Sequence, residues 1–398
     1  MNLLRERKAN EQARVGFVEL FFDLVFVFAV TQLSHKLLES LTPRGALETL
    51  ILFMAVWWAW IDTAWVTNWL DPEKRPVRLM LFALMLAGVI LSTSLPEAFG
   101  ARGIGFAVAY TAIQVGRSLF TLVALRGRDE GNYVNFQRIT IWAAGSSLLW
   151  LAGAFADENL RLALWAIAVA ADCIAPSAGF WTPWHGRSTP ADWQIEGGHI
   201  AERCGLFIII ALGESILVTG ATFAALEWNP TSIASLLVAF TGSVAMWWIY
   251  FDSGHERGSE RIVHSSEPGR LARLAYTYIH LPIIAGIIAC AVSDDIVLAH
   301  PYGHVDPATA AVIVGGPALY VGGTLLFRWS ISRRASRSQI AGLILLALLV
   351  PAAGALSPLA LAALATLVLV VVAVVEQLGR RASARRSAAR HARRSEAG

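Results

Sequence analysis

Two stretches of this chain, Leu79–Leu95 and Leu359–Val375, each run 17 residues without a charged side chain. Crossing the hydrocarbon core of a bilayer takes roughly 17–25 mostly apolar residues. The rest of the sequence repeats the pattern. Of the 398 residues 56% are hydrophobic and 15% charged, where soluble domains carry about 45–50% and about 25%. A water-soluble fold of this size could not hide so much apolar surface. The expected fold class is therefore all-α: a polytopic membrane protein whose solvent is lipid.

Turn signals divide the apolar runs. Thr42-Pro43-Arg44-Gly45, Asp71-Pro72, Asn229-Pro230 and Ser357-Pro358 each separate two of them. Twelve spans are expected near 15–38, 46–70, 76–97, 103–125, 136–156, 160–182, 197–226, 231–252, 272–296, 308–328, 338–356 and 358–378. The stretch from Val15 to Leu38 is too long for the core of a cleavable signal and has no small-residue cleavage site. Cytoplasmic loops retain Lys and Arg, which gives the orientation. Counted by alternate loops, 26 basic residues fall on the side of the N-terminus and 3 on the other, with Lys36, Arg117 and Arg203 inside spans. Both termini are expected in the cytoplasm, with the chain in the cytoplasmic (plasma) membrane.

The sequence also repeats internally. Trp57-Trp58-Ala59-Trp60-Ile61-Asp62 in the second span matches Trp247-Trp248-Ile249-Tyr250-Phe251-Asp252 in the eighth. Val115-Gly116-Arg117-Ser118-Leu119 matches Val321-Gly322-Gly323-Thr324-Leu325, and Arg75 and Arg78 match Arg270 and Arg273. The organisation expected from this is a basic N-terminus at 1–14, one six-helix repeat at 15–190, a second at 191–379, and a basic tail without regular structure at 380–398. Six spans per repeat give both copies the same orientation, so the repeats are expected to be parallel.

Ionisable groups inside a bilayer cost about 2.5–3.5 kcal/mol each on insertion scales, so each calls for a reason. The first span carries Glu19 and Asp23, one helical turn apart on one face. The seventh carries His199, Glu202, Arg203 and Glu214, and the fourth carries Arg117 alone. At about 100° per residue His199, Arg203 and Glu214 fall within about 60° of one another. These seven residues form the candidate polar seam, with Asp62, Asp252, Trp58 and Trp248 as secondary candidates. Two readings stand: ion pairs that hold helices in register, or a path for protons or cations. Trp57, Trp58, Trp247 and Trp248 lie too deep for interfacial anchors, so they either pack the core or wall a cavity. Gly315-Gly316-Pro317 and Gly322-Gly323 point to close helix approach.

Nothing in the sequence calls for a cofactor. Cys173, Cys204 and Cys290 sit singly in separate apolar segments, and His35, His199 and His280 lack ligand spacing. Gly213-Glu214-Ser215 lies inside an apolar helix, without the strand-turn-helix setting of a nucleophile elbow. No catalytic residue and no nucleic-acid partner is expected.

The segment Val18-Glu19-Leu20-Phe21-Phe22-Asp23-Leu24-Val25-Phe26-Val27-Phe28-Ala29 resembles the opening signature of the bacterial low-temperature-requirement A family of membrane proteins. So do Trp57-Trp58-Ala59-Trp60, Glu202-Arg203-Cys204-Gly205-Leu206-Phe207 and Ala211-Leu212-Gly213-Glu214-Ser215. The resemblance covers the first ten spans; the last two and the tail agree only in hydropathy. It implies a link to growth in the cold and supplies no catalytic residues. Phe21, Asp23, Val25, Phe26, Ala29, Thr31 and Leu33 are also similar in spacing to the Phe-Ser-Asp signature of endolysosomal and bacterial potassium channels. Phe22 stands where those channels have Ser, Leu24 replaces a small residue, and the seventh span lacks the motif. The leading expectation is a transporter or channel-like protein for an ion or small solute. The alternatives are a non-transporting membrane factor for cold or stress adaptation, and a membrane-embedded enzyme or redox protein. The expected partners are lipid and an unidentified ion or solute, and the pattern is compatible with a homo-oligomer.

Overall fold

The computed structural model describes residues 2–5, 15–189, 196–253, 268–333 and 335–395. Most of the basic segment 1–14 lies outside the described residues, as do 190–195, 254–267, 334 and 396–398. Among the described residues the regular structure is helical, apart from two isolated β-bridges. The helices are α1 (Phe17–Glu39), α2 (Pro43–Trp69), α3 (Arg75–Ser94), α4 (Gly103–Leu125), α5 (Glu130–Ala154) and α6 (Glu158–Ser177). They continue with α7 (Gly197–Ala224), α8 (Pro230–Ser253), α9 (268–299, made of Pro268–Ala272, the π turn Arg273–Tyr278 and His280–Ala299), α10 (Pro307–Ser332), α11 (Arg337–Leu349) and α12 (Pro358–Ser395). A 3-10 segment, Val350–Ala355, extends α11.

Local chemistry sets where the helices begin. The Thr42 hydroxyl accepts from the Gly45 amide at 3.0 Å, ahead of Pro43 at the first helical position of α2. Asp129, Asp157, Asp306 and Ser336 cap α5, α6, α10 and α11 through the same kind of bond. Asp306, outside the apolar core, has its carboxyl held below the ordinary carboxylate range by bonds from the Thr309 hydroxyl and the Thr309 and Ala308 amides.

Eleven of these helices are long and apolar enough to cross a membrane, judged by length and composition. The exception among the twelve expected spans is α5. It is 25 residues long, but its first turns carry Glu130, Asn132, Asn135, Gln137 and Arg138. It packs along α4 and α6. Residues 380–395, expected to lack regular structure, continue α12 as helix.

The chain forms two compact units, and their limits differ from the expected repeat boundary at 190/191. The first comprises Met1–Glu214 and Ser259–Leu281, the second Ser215–Gly258 and Pro282–Gly398. In the first, α3 packs on α1 and α4, α5 packs between α4 and α6, and α2 touches α1, α4 and α6. Its core is rich in aromatics: Trp57, Trp60, Trp150 and Trp165 are fully buried. In the second, α8 packs on α12, and α10, α11 and α12 touch one another.

The second unit contains the close approach expected from the glycines. A Cβ on Gly286 of α9 would lie 2.6 Å from the Tyr320 amide nitrogen, and one on Gly316 would lie 2.9 Å from that of Cys290. A Cβ on Gly323 would meet Ile283 at 2.7 Å, whereas Gly315 and Gly322 face open space. Backbones this close need glycine, as in small-residue helix contacts within membranes.

Candidate functional site

The first unit holds two separate buried clusters of charge. In one, α1 meets α7. Arg203 donates from Nη1 to Glu19 Oε1 at 2.9 Å and from Nη2 to Asp23 Oδ1 at 2.6 Å. His199 Nε2 lies 2.9 Å from Glu19 Oε1, and Trp60 Nε1 donates to Asp23 Oδ1 at 2.7 Å. The Arg203 guanidinium also sits over the Trp60 ring, 5.7 Å from its centroid. Glu19, Asp23, His199 and Arg203 are all 0% exposed.

The sequence builds this cluster economically. Glu19 occupies the third position of α1, where its Oε2 accepts from the Gly16 amide at 2.9 Å and so caps the helix it belongs to. One turn on, Asp23 shares its face, and one turn separates His199 from Arg203 on α7. The N-terminal strand-like segment closes the group: the Arg5 amide donates to the Trp69 carbonyl at 2.8 Å, and Arg5 Nη2 lies 3.4 Å from Glu19 Oε2. Two carboxylates, Glu19 and Asp23, face two guanidinium groups, Arg5 and Arg203.

The second cluster joins α2, α4 and α6. Arg117 Nη2 donates to Asp62 Oδ2 at 3.2 Å and to Gln114 Oε1 at 2.6 Å. Its Nη1 donates to the Thr63 hydroxyl at 3.1 Å and the Ala59 carbonyl at 3.3 Å. Gln114 Nε2 then donates to Asp62 Oδ2 at 3.2 Å and reaches the Tyr110 hydroxyl at the same distance. Tyr110 donates to Asp172 Oδ2 at 2.8 Å, and Trp58 Nε1 donates to the Asp172 carbonyl at 3.1 Å.

This second cluster borders a cavity. About 960 Å³ of space, its open end included, is lined by residues that include Trp58, Asp62, Trp65, Arg117, Trp142 and Arg273. The Arg117 side chain is 2% exposed and that of Asp62 31%, so it is the carboxylate that the cavity meets. Trp69, Phe136, Phe180 and Arg270 line it as well. On the α9 side the wall is a π-helical turn, Arg273–Tyr278, between Pro268–Ala272 and His280–Ala299. Single π turns inside α-helices recur at functional sites because they re-aim side chains. Here the turn is held by α2: Trp57 Nε1 donates to the Thr277 carbonyl at 2.8 Å, and Trp65 Nε1 to its hydroxyl at 3.0 Å.

The sequence model of the bacterial low temperature requirement A protein (LtrA) matches residues 14–374, nearly the whole chain. The chain belongs to the LtrA family. An uncharacterized protein of Rhizobium meliloti (strain 1021) is 44% identical to it over 342 residues, covering 85% of this chain and 83% of that one. No solved structure matches the sequence. A multi-pass membrane protein follows from the family and the apolar helices together.

Within this LtrA chain the seven seam residues do not form one seam. Glu19, Asp23, His199 and Arg203 meet. Arg117 belongs instead to Asp62 and the cavity. Glu202 points away from the cluster, is exposed, and accepts from the Val15 amide at 3.3 Å. Glu214 shares the stripe of Arg203 but lies three turns along α7, about 16 Å at ~1.5 Å per residue, and its carboxylate accepts from Thr31. The secondary candidates also divide. Asp62 and Trp58 line the cavity, whereas Asp252 pairs with Arg380 and accepts from Trp248 at 3.2 Å. Trp247 and Trp248, expected to pack the core or wall a cavity, are 45% and 37% exposed, because their face of α8 is turned outward. Gln114, Tyr110 and the π turn escaped the sequence reading. A polar residue at each turn of one α4 face, at 110, 114 and 117, was the available signal.

No group of three His, Cys, Asp or Glu side chains able to hold a metal ion occurs among the described residues.

Proposed function

We propose that this LtrA protein is a transporter or channel-like protein for a small solute, and that the cavity of the first unit is its solute site. The observation that carries the reading is the part-exposed carboxylate of Asp62, ion-paired to buried Arg117 in the wall of an aromatic cavity among apolar helices. Intramembrane charges that face a water-accessible cavity mark solute and proton paths, whereas charges that only hold helices together are sealed. Arg203 with Glu19 and Asp23 has the sealed form, and its role here is register. Arg117 with Asp62 has the open form. A proton arriving at Asp62 competes with Arg117 for the carboxylate. Gln114 donates to Asp62 and accepts from Arg117, so it braces both partners while the pair exchanges.

The proposed setting is the bacterial cytoplasmic membrane with both termini inside. The 26-to-3 division of Lys and Arg between alternate loops supports this. In that orientation α5 crosses the membrane beside α4 and α6, and the cavity opens to the cytoplasm, where α2 and α6 end and α5 and α9 begin. Matching motif order supports a tandem duplication of six helices, and the repeat is part of this proposal.

The test is flux through proteoliposomes across a panel of ions and small solutes, with and without a pH gradient. Asp62→Asn keeps the shape of the pair and loses the titratable group, so it should remain folded and lose flux. Undiminished flux in folded Asp62→Asn would remove the cavity from the transport path.

A further inference from the structure

We infer that the cavity takes a small aromatic carboxylate, a flat ring bearing one negative charge. The inference rests on the transport reading for the site's role and adds the chemistry of what it holds.

The walls choose the body of the ligand. The indole N–H groups of Trp58, Trp65 and Trp142 are committed to the Asp172 carbonyl, the Thr277 hydroxyl and the Trp181 carbonyl. What these side chains offer the cavity is therefore ring surface, and Phe136 adds another ring. Aromatic rings prefer offset or edge-to-face partners of their own kind. Ring faces also attract cations, so the charges in the wall must choose between the two.

The charges choose the head. Asp62 and Arg117 neutralise each other. The Asp172 carboxylate accepts from Tyr110 at 2.8 Å and from Trp150 at 3.4 Å, so its polar demand is met within the protein. Arg273 is different. It lines the cavity half-buried, donates Nη1 to the Pro176 carbonyl at 2.7 Å, and has no carboxylate partner among the described residues. Arg270, one turn earlier on the same helix, also lines the cavity. A half-buried guanidinium with one neutral acceptor has donors to spare, and its planar fork matches a carboxylate. An organic cation would be repelled by Arg273. A carboxylate on Arg273 with its ring among the tryptophans satisfies both requirements.

The test uses the purified full-length protein in detergent and three probes of one shape: benzoate, benzamide and benzylammonium, each titrated calorimetrically against a micelle blank. Benzoate should bind at least tenfold tighter than either relative. Arg273→Gln should weaken benzoate tenfold or more and leave benzamide unchanged, and Arg273→Lys should fall between. Should Arg273→Gln fail to fold, Ile139→Glu places a negative charge in the same wall and should abolish benzoate binding while sparing benzamide. Benzylammonium binding as tightly as benzoate, or benzoate binding indifferent to both substitutions, would overturn the inference. Benzoate binding without flux leaves the ligand class standing and defeats the transport reading. Flux of another solute without benzoate binding does the reverse.

Discussion

Arg203 on α7 reaches Asp23 on α1 at 2.6 Å, Nη2 to Oδ1, with both side chains wholly buried. The same guanidinium holds Glu19 at 2.9 Å. Removing one partner of a buried ion pair strands the other charge and costs about 3–5 kcal/mol. Arg203→Ala should therefore lower the unfolding temperature in detergent sharply, because it strands two carboxylates at once. Asp23→Asn added to Arg203→Ala should restore part of the loss. Additive losses in the double variant would show that the pair contributes no coupling.

Close backbone contact in the second unit gives a prediction of opposite chemistry. Gly286→Ala and Gly316→Ala each place a methyl group within 3.0 Å of backbone atoms that cannot swing aside. Overpacking of this kind costs about 1–3 kcal/mol. Gly322→Ala, facing open space one residue from the contact at Gly323, should be neutral or slightly stabilising, since alanine favours helix. Equal thermal stability of all three variants would mean that α9 and α10 are not held at glycine distance.

These cases show what the sequence could and could not reveal. The α1–α7 cluster was legible because helical periodicity puts Glu19 with Asp23 and His199 with Arg203 on single faces, and intramembrane charges must find partners. Which partner Arg117 would choose was not legible. Periodicity fixes the angle of a side chain about its helix but not the depth at which two helices face each other. For that reason Glu214, at the right angle and three turns away, was grouped with Arg203, and Arg117 was grouped with the wrong acids. Matching motifs do not give matching surroundings, for a related reason. Asp62 and Asp252 occupy matching motifs, yet one faces Arg117 across a cavity and the other meets Arg380 near the surface. The π turn of α9 has no sequence signature, because it arises where Trp57 and Trp65 hold Thr277.

Topology turns on α5, whose polar first turns separate it from the other long helices. The proposed orientation, drawn from the 26-to-3 charge asymmetry, has it cross. Reporter fusions at Arg128 and Arg187 should read cytoplasmic, and a fusion at Asp157, between α5 and α6, should read external. A cytoplasmic signal at Asp157 would leave α5 on one side of the membrane and reverse the orientation of every later helix.

The difference between a sealed and an open ion pair is itself measurable. Ile139 lines the cavity, whereas Ala29 on α1 is 0% exposed. With Cys173, the partly exposed one of the three free thiols, replaced by Ala, a cysteine at each position can be challenged with a membrane-impermeant maleimide. In inside-out vesicles Ile139→Cys should label quickly, and in right-side-out vesicles it should not, because the cavity opens where the helix ends are basic. Ala29→Cys should resist labelling in both. Equal labelling of Ile139→Cys from both faces would describe a pore open throughout. Labelling from neither face would make the cavity a dry packing defect, and the open pair at Asp62 would then be no more than a second structural clasp.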